Sequence, residues 1–141
     1  MLRILVAVDG SDSSGRAVSY MLKKMAWFKE PVEIHLLNVQ AALPSNVARF
    51  VPASQLHDYH REHAEAELAP ARVLLDAAKV PYVTHIGVGD PAHVIVGYVK
   101  EKSIDQIVMG TRGLGSVAGM VLGSVATKVL GLSDTPVLLV R

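Results

Sequence analysis

The run Ile4-Leu5-Val6-Ala7-Val8 constrains this chain most. Five successive apolar residues leave no polar face, so a strand built from them must be covered on both sides. That is the pattern of a parallel sheet held between layers of helix. After the run comes Asp9-Gly10-Ser11-Asp12-Ser13-Ser14, a turn ending in helix-capping residues. Ala17, Val18, Met21, Leu22 and Met25 then recur at helical spacing. Pro31 opens a second strand carrying Val32, Ile34, Leu36, Leu37 and Val39. Residues 40–52 read as a loop. Residues 54–79 read as a long helix with Ala66, Ala69, Val73, Leu74, Ala77 and Ala78 on one face, and Pro70 is expected to kink or split it.

Residues 82–86 form a third predicted strand. Asp90-Pro91 is a helix start, a capping carboxylate followed by proline at the first helical position, and Val94, Ile95, Tyr98 and Val99 supply that helix's buried face. Ile107-Val108-Met109 is a fourth strand. A glycine-rich loop leads to a short helix near residues 124–132, and Val137-Leu138-Leu139-Val140, opened by Pro136, is the last strand. Strands alternating with helices predict an α/β fold: a single-domain, open, parallel five-stranded sheet in the order 3-2-1-4-5, with right-handed crossovers and helices on both faces. Ligands of such sheets bind beyond the carboxyl ends of the strands where strand order reverses, here at Asp9-Gly10 and Met109-Gly110.

Composition narrows the classes of function. The 141 residues suit one domain, residues 1–141. There is no cysteine, which excludes disulfides and thiolate metal sites. Net charge is +1 and the lysines and arginines are scattered, so no nucleic-acid partner is expected. Residues 113–132 are the least polar longer stretch, with Gly119 and Gly123 at the spacing of a membrane-helix dimer motif, but five glycines and Lys128 interrupt it and no membrane span is expected. The opening apolar run is too short for a signal-peptide core and no cleavage pattern follows it, so the expected location is cytoplasmic.

The residues that carry chemistry gather after strand four. Gly110-Thr111-Arg112-Gly113 is followed, after nine intervening residues, by Gly123-Ser124 at the start of the last helix. Glycine lets the main chain approach a ligand closely and permits positive φ. Successive backbone N–H groups make a concave anion site, and the helix N-terminus adds unpaired donors and a partial positive charge. Ser124 can give a hydroxyl to the same phosphate, and Arg112 lies where its guanidinium meets a phosphate or stays in solvent. A simple flexible turn is the plainer account of the same glycines.

The segment Gly110-x-x-Gly113-x9-Gly123-Ser124 resembles the nucleotide-binding signature of the universal stress protein A family. The similarity extends to Ile4-Leu5-Val6-Ala7-Val8-Asp9-Gly10-Ser11, Gly89-Asp90-Pro91, Gly123-Ser124-Val125-Ala126-x-Lys128-Val129-Leu130 and Thr135-Pro136-Val137-Leu138-Leu139-Val140-Arg141. Residues 40–59 match nothing assignable.

The resemblance implies a nucleotide-binding regulator of stress responses holding ATP, ADP or AMP, with Mg2+ carried by the nucleotide rather than by a protein cluster. It implies that Asp9 accepts hydrogen bonds from the ribose or helps hold that metal. Ala7 and Val39 would border the adenine, Met109 would pack on base or sugar, and Gly110 would face the ribose. Gly113, Gly123, Ser124 and Val125 would offer N–H groups to the phosphates. Core packing explains Ala7, Val39 and Met109 equally, and turn formation explains Asp9. The resemblance also implies a homodimer joined edge to edge through Val137–Val140, which lies at the sheet's edge in this strand order; a covering loop within one chain is the other way to protect such an edge.

Two other sets of residues bear on function. His57, His60 and His63 recur every third residue, interleaved with Asp58, Glu62 and Glu65. Pairs three apart can share a metal, but the third histidine has rotated away, so a solvated polar face is expected. His93 falls in the first turn of a helix, a poor place for a charged imidazole. The Asp9 turn bears a weak likeness to the pyrophosphate loop of ATP pyrophosphatases but lacks its second glycine. It leaves open an ATP-dependent enzyme (a slow ATPase, phosphotransferase or pyrophosphatase) using the same pocket. No catalytic residue can be named and no positioned general base stands near the loop, so an efficient hydrolase is not expected. A nucleotide-free dimerising adaptor is the third possibility.

Overall fold

A computed structural model describes residues 1–113, 119 and 121–141; residues 114–118 and 120 of the expected glycine-rich loop lie outside the described residues. Five parallel strands form one sheet in the order β3-β2-β1-β4-β5. They are β1 (Leu2–Ala7), β2 (Val32–Gln40), β3 (Tyr82–Val88), β4 (Gln106–Gly110) and β5 (Val137–Val140). The connecting helices are α1 (Asp12–Lys24, continued by a 3-10 turn Met25–Trp27), α2 (Ser45–Ala48), α3 (Ala53–Ala77), α4 (Pro91–Glu101) and α5 (Ser124–Leu132).

The central strand is covered on both faces. Ile4, Leu5 and Val6 are each 0% exposed. Ile4 and Val6 join Ile34, Leu36 and Val108 in a core closed by Ala17, Val18 and Met21 of α1 and by Leu68, Ala71 and Leu75 of α3. Leu5 joins Leu37, Ile107 and Met109 in a second core closed by Ile95 and Val99 of α4 and by Ala126 and Val129 of α5. Burial of this kind contributes about 25 cal/mol per Å² of apolar surface, which is why near-continuous apolar strands settle in the middle of such a sheet.

Capping sets the helix starts. The Ser11 hydroxyl accepts the Ser14 N–H at 3.2 Å and opens α1. The Asp90 carboxylate accepts the His93 N–H at 3.3 Å, with Pro91 next in the chain, and opens α4.

The region of α2 and α3 departs from expectation. The stretch 40–52 is not wholly loop, because β2 runs through Gln40 and Ser45–Ala48 forms a short helix behind Pro44. Of the two outcomes expected at Pro70, the split does not occur: α3 is helical throughout Ala53–Ala77. Pro70 and Ala66, the residue whose carbonyl loses its i+4 donor, are both on the exposed side, where water can take the donor's place. The buried face of α3 is His60, Ala64, Leu68, Ala71 and Leu75; Ala66, Ala69, Ala77, Ala78 and Val73, the last 67% exposed, face outward and Leu74 is half-buried. Leu68 and Leu75 offer more apolar surface than the alanines of the expected stripe, and they set the phase. The same phase buries His60 and leaves His57 and His63 exposed, so the three histidines do not share a solvated face.

Candidate functional site

Beyond the carboxyl ends of β1 and β4 a cleft of about 590 Å³ opens. Its lining includes Ala7, Asp9, Val39, Met109, Gly110, Arg112, Gly113, Gly123, Ser124 and Val125, the residues assigned to a nucleotide from the sequence. The cleft has three chemically distinct walls.

The first wall is apolar. Ala7, Leu37, Val39 and Met109 come from three adjacent strands, and Pro91 and Ile95 of α4 stand opposite. This slot suits a flat, uncharged group.

The second wall is the main chain around α5. Gly123 is the N-cap of α5 and has no side-chain cap, so the first N–H groups of the helix, those of Ser124, Val125 and Ala126, have no intrahelical acceptor. The Gly123 carbonyl accepts the Thr127 N–H at 3.0 Å and the Thr127 hydroxyl at 2.9 Å, while the Gly123 N–H donates to the Thr111 carbonyl at 2.5 Å. That last bond clips the helix start to the segment leaving β4. An uncapped helix N-terminus opening on a cleft attracts anions.

Close approach, rather than positive φ, explains the glycines here. Among the described residues the glycines with positive φ are Gly10, Gly89 and Gly119, whereas Gly123 has φ −74°. A Cβ on Gly110 would lie 2.7 Å from the carbonyl carbon and oxygen of Ser13, and one on Gly123 would lie 3.3 Å from Arg112 Cα and the Thr111 oxygen. On Gly113 it would run into the Asp9 carboxylate.

The third wall carries acid. Asp9 Oδ1 accepts the Ser11 N–H at 2.9 Å, which fixes the turn leaving β1. Glu67 reaches the cleft from α3, beside Gln40, Ala41, Ala42, Leu43 and Tyr59. Sequence reasoning missed these residues, along with Ser14 and Thr111. The available signal was in β2: Asn38 and Gln40 alternate with Leu37 and Val39 on the face that carries Ile34 and Leu36, and both are buried. Polar side chains at the inward positions of a buried strand need partners, and a nearby site is one reason to keep them.

A second fixed point lies at the edge of the cleft, next to Pro91. Hydrogen bonds from His93, then from Lys128, hold the Asp90 carboxyl at a pKa of about 2. His93 Nδ1 lies 2.5 Å from Asp90 Oδ2, so the capping carboxylate answers the unfavourable first-turn position of this imidazole. Among the described residues no three His, Asp or Glu side chains, on α3 or elsewhere, converge as a metal site.

Comparison with known proteins places this architecture. The chain matches the universal stress protein family over residues 1–141. It belongs to that family. "Universal stress protein YxiE" of Bacillus subtilis (strain 168) is 31% identical over 147 residues, covering 99% of this chain and 98% of the relative. The solved structure of UspA from Lactobacillus plantarum superposes with a TM-score of 0.81 at 26% identity, covering 99% of this chain and 97% of that one. A universal stress protein solved in complex with cAMP superposes with a TM-score of 0.72 at 26% identity, covering 99% and 97%. In this universal stress protein the described residues include no helix long and apolar enough to cross a membrane.

Proposed function

We propose that this universal stress protein holds an adenine nucleotide (ATP, ADP or AMP) in the cleft beyond the carboxyl ends of β1 and β4 and acts through that bound state as a homodimeric regulator in stress responses. One observation carries the reading: an apolar slot and an uncapped helix N-terminus face each other across a single cleft. A nucleotide has a flat base at one end and phosphate oxygens at the other, and the cleft offers the matching chemistry in the same order. Ala7, Val39 and Met109 border the base, Gly110 and Asp9 the sugar, and Gly113, Gly123, Ser124 and Val125 the phosphates, with Arg112 beside them.

The glycine cradle fits this use. Side chains at Gly113 or Gly123 would close the space between the β1 turn and α5 into which phosphates would fit. Mg2+, when present, would come with the nucleotide and add positive charge between its phosphates, and Asp9, a carboxylate lining the same cleft, would share it. The cAMP complex of another family member supports adenine recognition within this fold.

The dimer reading rests on β5, which lies at the sheet's edge and carries Val137, Leu138, Leu139 and Val140. A second copy pairing there would satisfy the edge. Light scattering on the purified protein tests it: twice the chain mass is expected, and a monomer at micromolar concentration would remove the dimer from the proposal.

For the nucleotide, gently purified protein is denatured and its released small molecules identified by mass spectrometry, with calorimetric titration of ATP, ADP and AMP alongside. Stoichiometric adenine nucleotide or saturable binding is expected. Absence of both would overturn the reading.

A further inference from the structure

The acidic wall has a construction of its own. Glu67 Oε2 accepts the Asn38 amide at 2.7 Å and the Gln40 amide at 3.0 Å. Asn38 Nδ2 also donates to the Val8 carbonyl at 2.9 Å, and Asn38 Oδ1 accepts Gln40 Nε2 at 2.7 Å. Asn38 is 0% exposed and Gln40 8%. Burying two carboxamides is costly unless their groups are paired, and here both spend donors on one carboxylate oxygen. The backbone of Glu67 is equally constrained: a Cβ on Gly10, the residue after Asp9, would lie 3.2 Å from Glu67 Cα. Asn38 and Gln40 therefore fix one carboxylate oxygen of a cleft-lining glutamate beside the β1 turn.

This position is informative for a nucleotide. A ligand stretching from the Ala7–Val39–Met109 slot to the α5 rim has its sugar over the end of β1, next to Asp9 and within the Glu67 wall. An ionised carboxylate accepts hydrogen bonds and donates none, and it repels phosphate. Sugar hydroxyls satisfy it; a phosphate on the same sugar position does not.

We propose that Glu67 is a specificity residue that selects adenine nucleotides with free ribose hydroxyls and rejects those phosphorylated at the 3' position. The inference rests on the adenine-nucleotide reading above and adds to it a ligand class and a residue that enforces the choice.

The test is calorimetric titration of wild-type protein and Glu67→Gln with AMP, 3'-deoxy-AMP and adenosine 3',5'-bisphosphate. Wild type should bind AMP about tenfold or more tightly than the bisphosphate, the scale expected of like charges brought together in a cleft. Loss of the 3' hydroxyl should weaken binding roughly fivefold, as for one hydrogen bond. In Glu67→Gln the side-chain oxygen can keep both amide donors, and the group lining the cleft is then uncharged. The bisphosphate should then gain about tenfold relative to AMP, a swap that loss of packing alone would not produce. Glu67→Ala, which leaves no amide behind, is the second variant and should also narrow the gap. An unchanged preference in both variants, or a wild type that binds the bisphosphate as tightly as AMP, overturns the role of Glu67 while leaving nucleotide binding intact. A wild type that binds none of the three overturns the role of Glu67, and one that binds no ATP or ADP either overturns both.

Discussion

The Lys128 ammonium on α5 lies 3.1 Å from the carboxylate of Asp90, the residue that caps α4. One exposed carboxylate thus holds the start of α4, through the His93 N–H, and the flank of the helix whose own start forms the main-chain wall of the cleft. Both helices close the same core, with Ile95 and Val99 from one and Ala126 and Val129 from the other.

Removing that carboxylate should therefore be felt at both helices. Asp90→Ala is expected to lower Tm by a few degrees through loss of the cap. The pH dependence has a definite sign. The folded-state pKa is depressed from 3.8 to about 2, so the stabilisation is fully present above 3.8 and lost as pH falls toward 2. Thermal melts of wild type and variant from pH 7 down to pH 2 should converge at the acid end. A gap that stays constant over that range would mean the charge on Asp90 contributes nothing.

The glycines of the cleft should separate into structural and ligand-facing positions. At Gly110 a methyl meets the backbone of Ser13, which cannot move without shifting α1. Gly110→Ala is expected to destabilise by about 1–3 kcal/mol, the usual scale of overpacking. At Gly113 the obstacle is the Asp9 carboxylate, the far end of a side chain. Gly113→Ala should lose nucleotide affinity as Asp9 turns aside, and should lose less stability than Gly110→Ala because a side chain rather than a helix backbone has to move. Paired melting and calorimetry would show the split, and equal stability losses in both variants would contradict it.

Gly123→Asp asks a different question. Its φ of −74° suits any residue, and aspartate is a good N-cap, so the start of α5 should survive with small adjustments of the Arg112 and Thr111 backbone 3.3 Å away. The added carboxylate would cap the free N–H groups and put negative charge where phosphate oxygens are proposed to sit. Nucleotide binding should vanish by calorimetry while the circular dichroism spectrum stays native. Full retained affinity would place the anion elsewhere.

What the sequence disclosed follows from how locally each feature is encoded. β1 was legible because a continuous apolar run has one comfortable environment, and α4 because Asp90-Pro91 states its start in two adjacent residues. The phase of α3 was not, since alanines at 66 and 69 compete with Ala64 and Ala71 and only contact with the sheet decides between the two faces. The helix Ser45–Ala48 is too short to show a period. The Gly110, Gly113 and Gly123 set was legible as a spaced motif, but its physical reason lay in Ser13, Asp9 and Arg112, residues distant in sequence for the first two. Glu67 belongs to no motif, because its partners Asn38 and Gln40 sit on another element 29 and 27 residues away.

The sheet carries one more charged chain, away from the cleft, that gives the fold an acid limit. His35 Nδ1 lies 2.8 Å from His85 Nε2, with the two rings stacked at 5.1 Å, and His35 Nε2 lies 2.7 Å from Glu33 Oε1. Arg3 pairs with the same Glu33 oxygen at 3.4 Å, and the Tyr98 ring of α4 leans on His85 at 5.3 Å. One proton suits the bond between the two imidazoles; a second would set two N–H donors against each other. Burial, then His35, then Lys102 hold the His85 pKa below its ordinary 6.5, with Glu101 opposing them. Below 6.5 the unfolded chain takes up a proton that the folded one resists, so the stability is present above that pH and is lost as pH falls through the lowered folded value. Tm should be flat from neutral to mildly alkaline pH and decline below 6.5. His85→Gln keeps an amide donor for His35 but cannot charge, and it should flatten the decline. A variant that loses stability with acid as steeply as wild type would show that another group sets the limit.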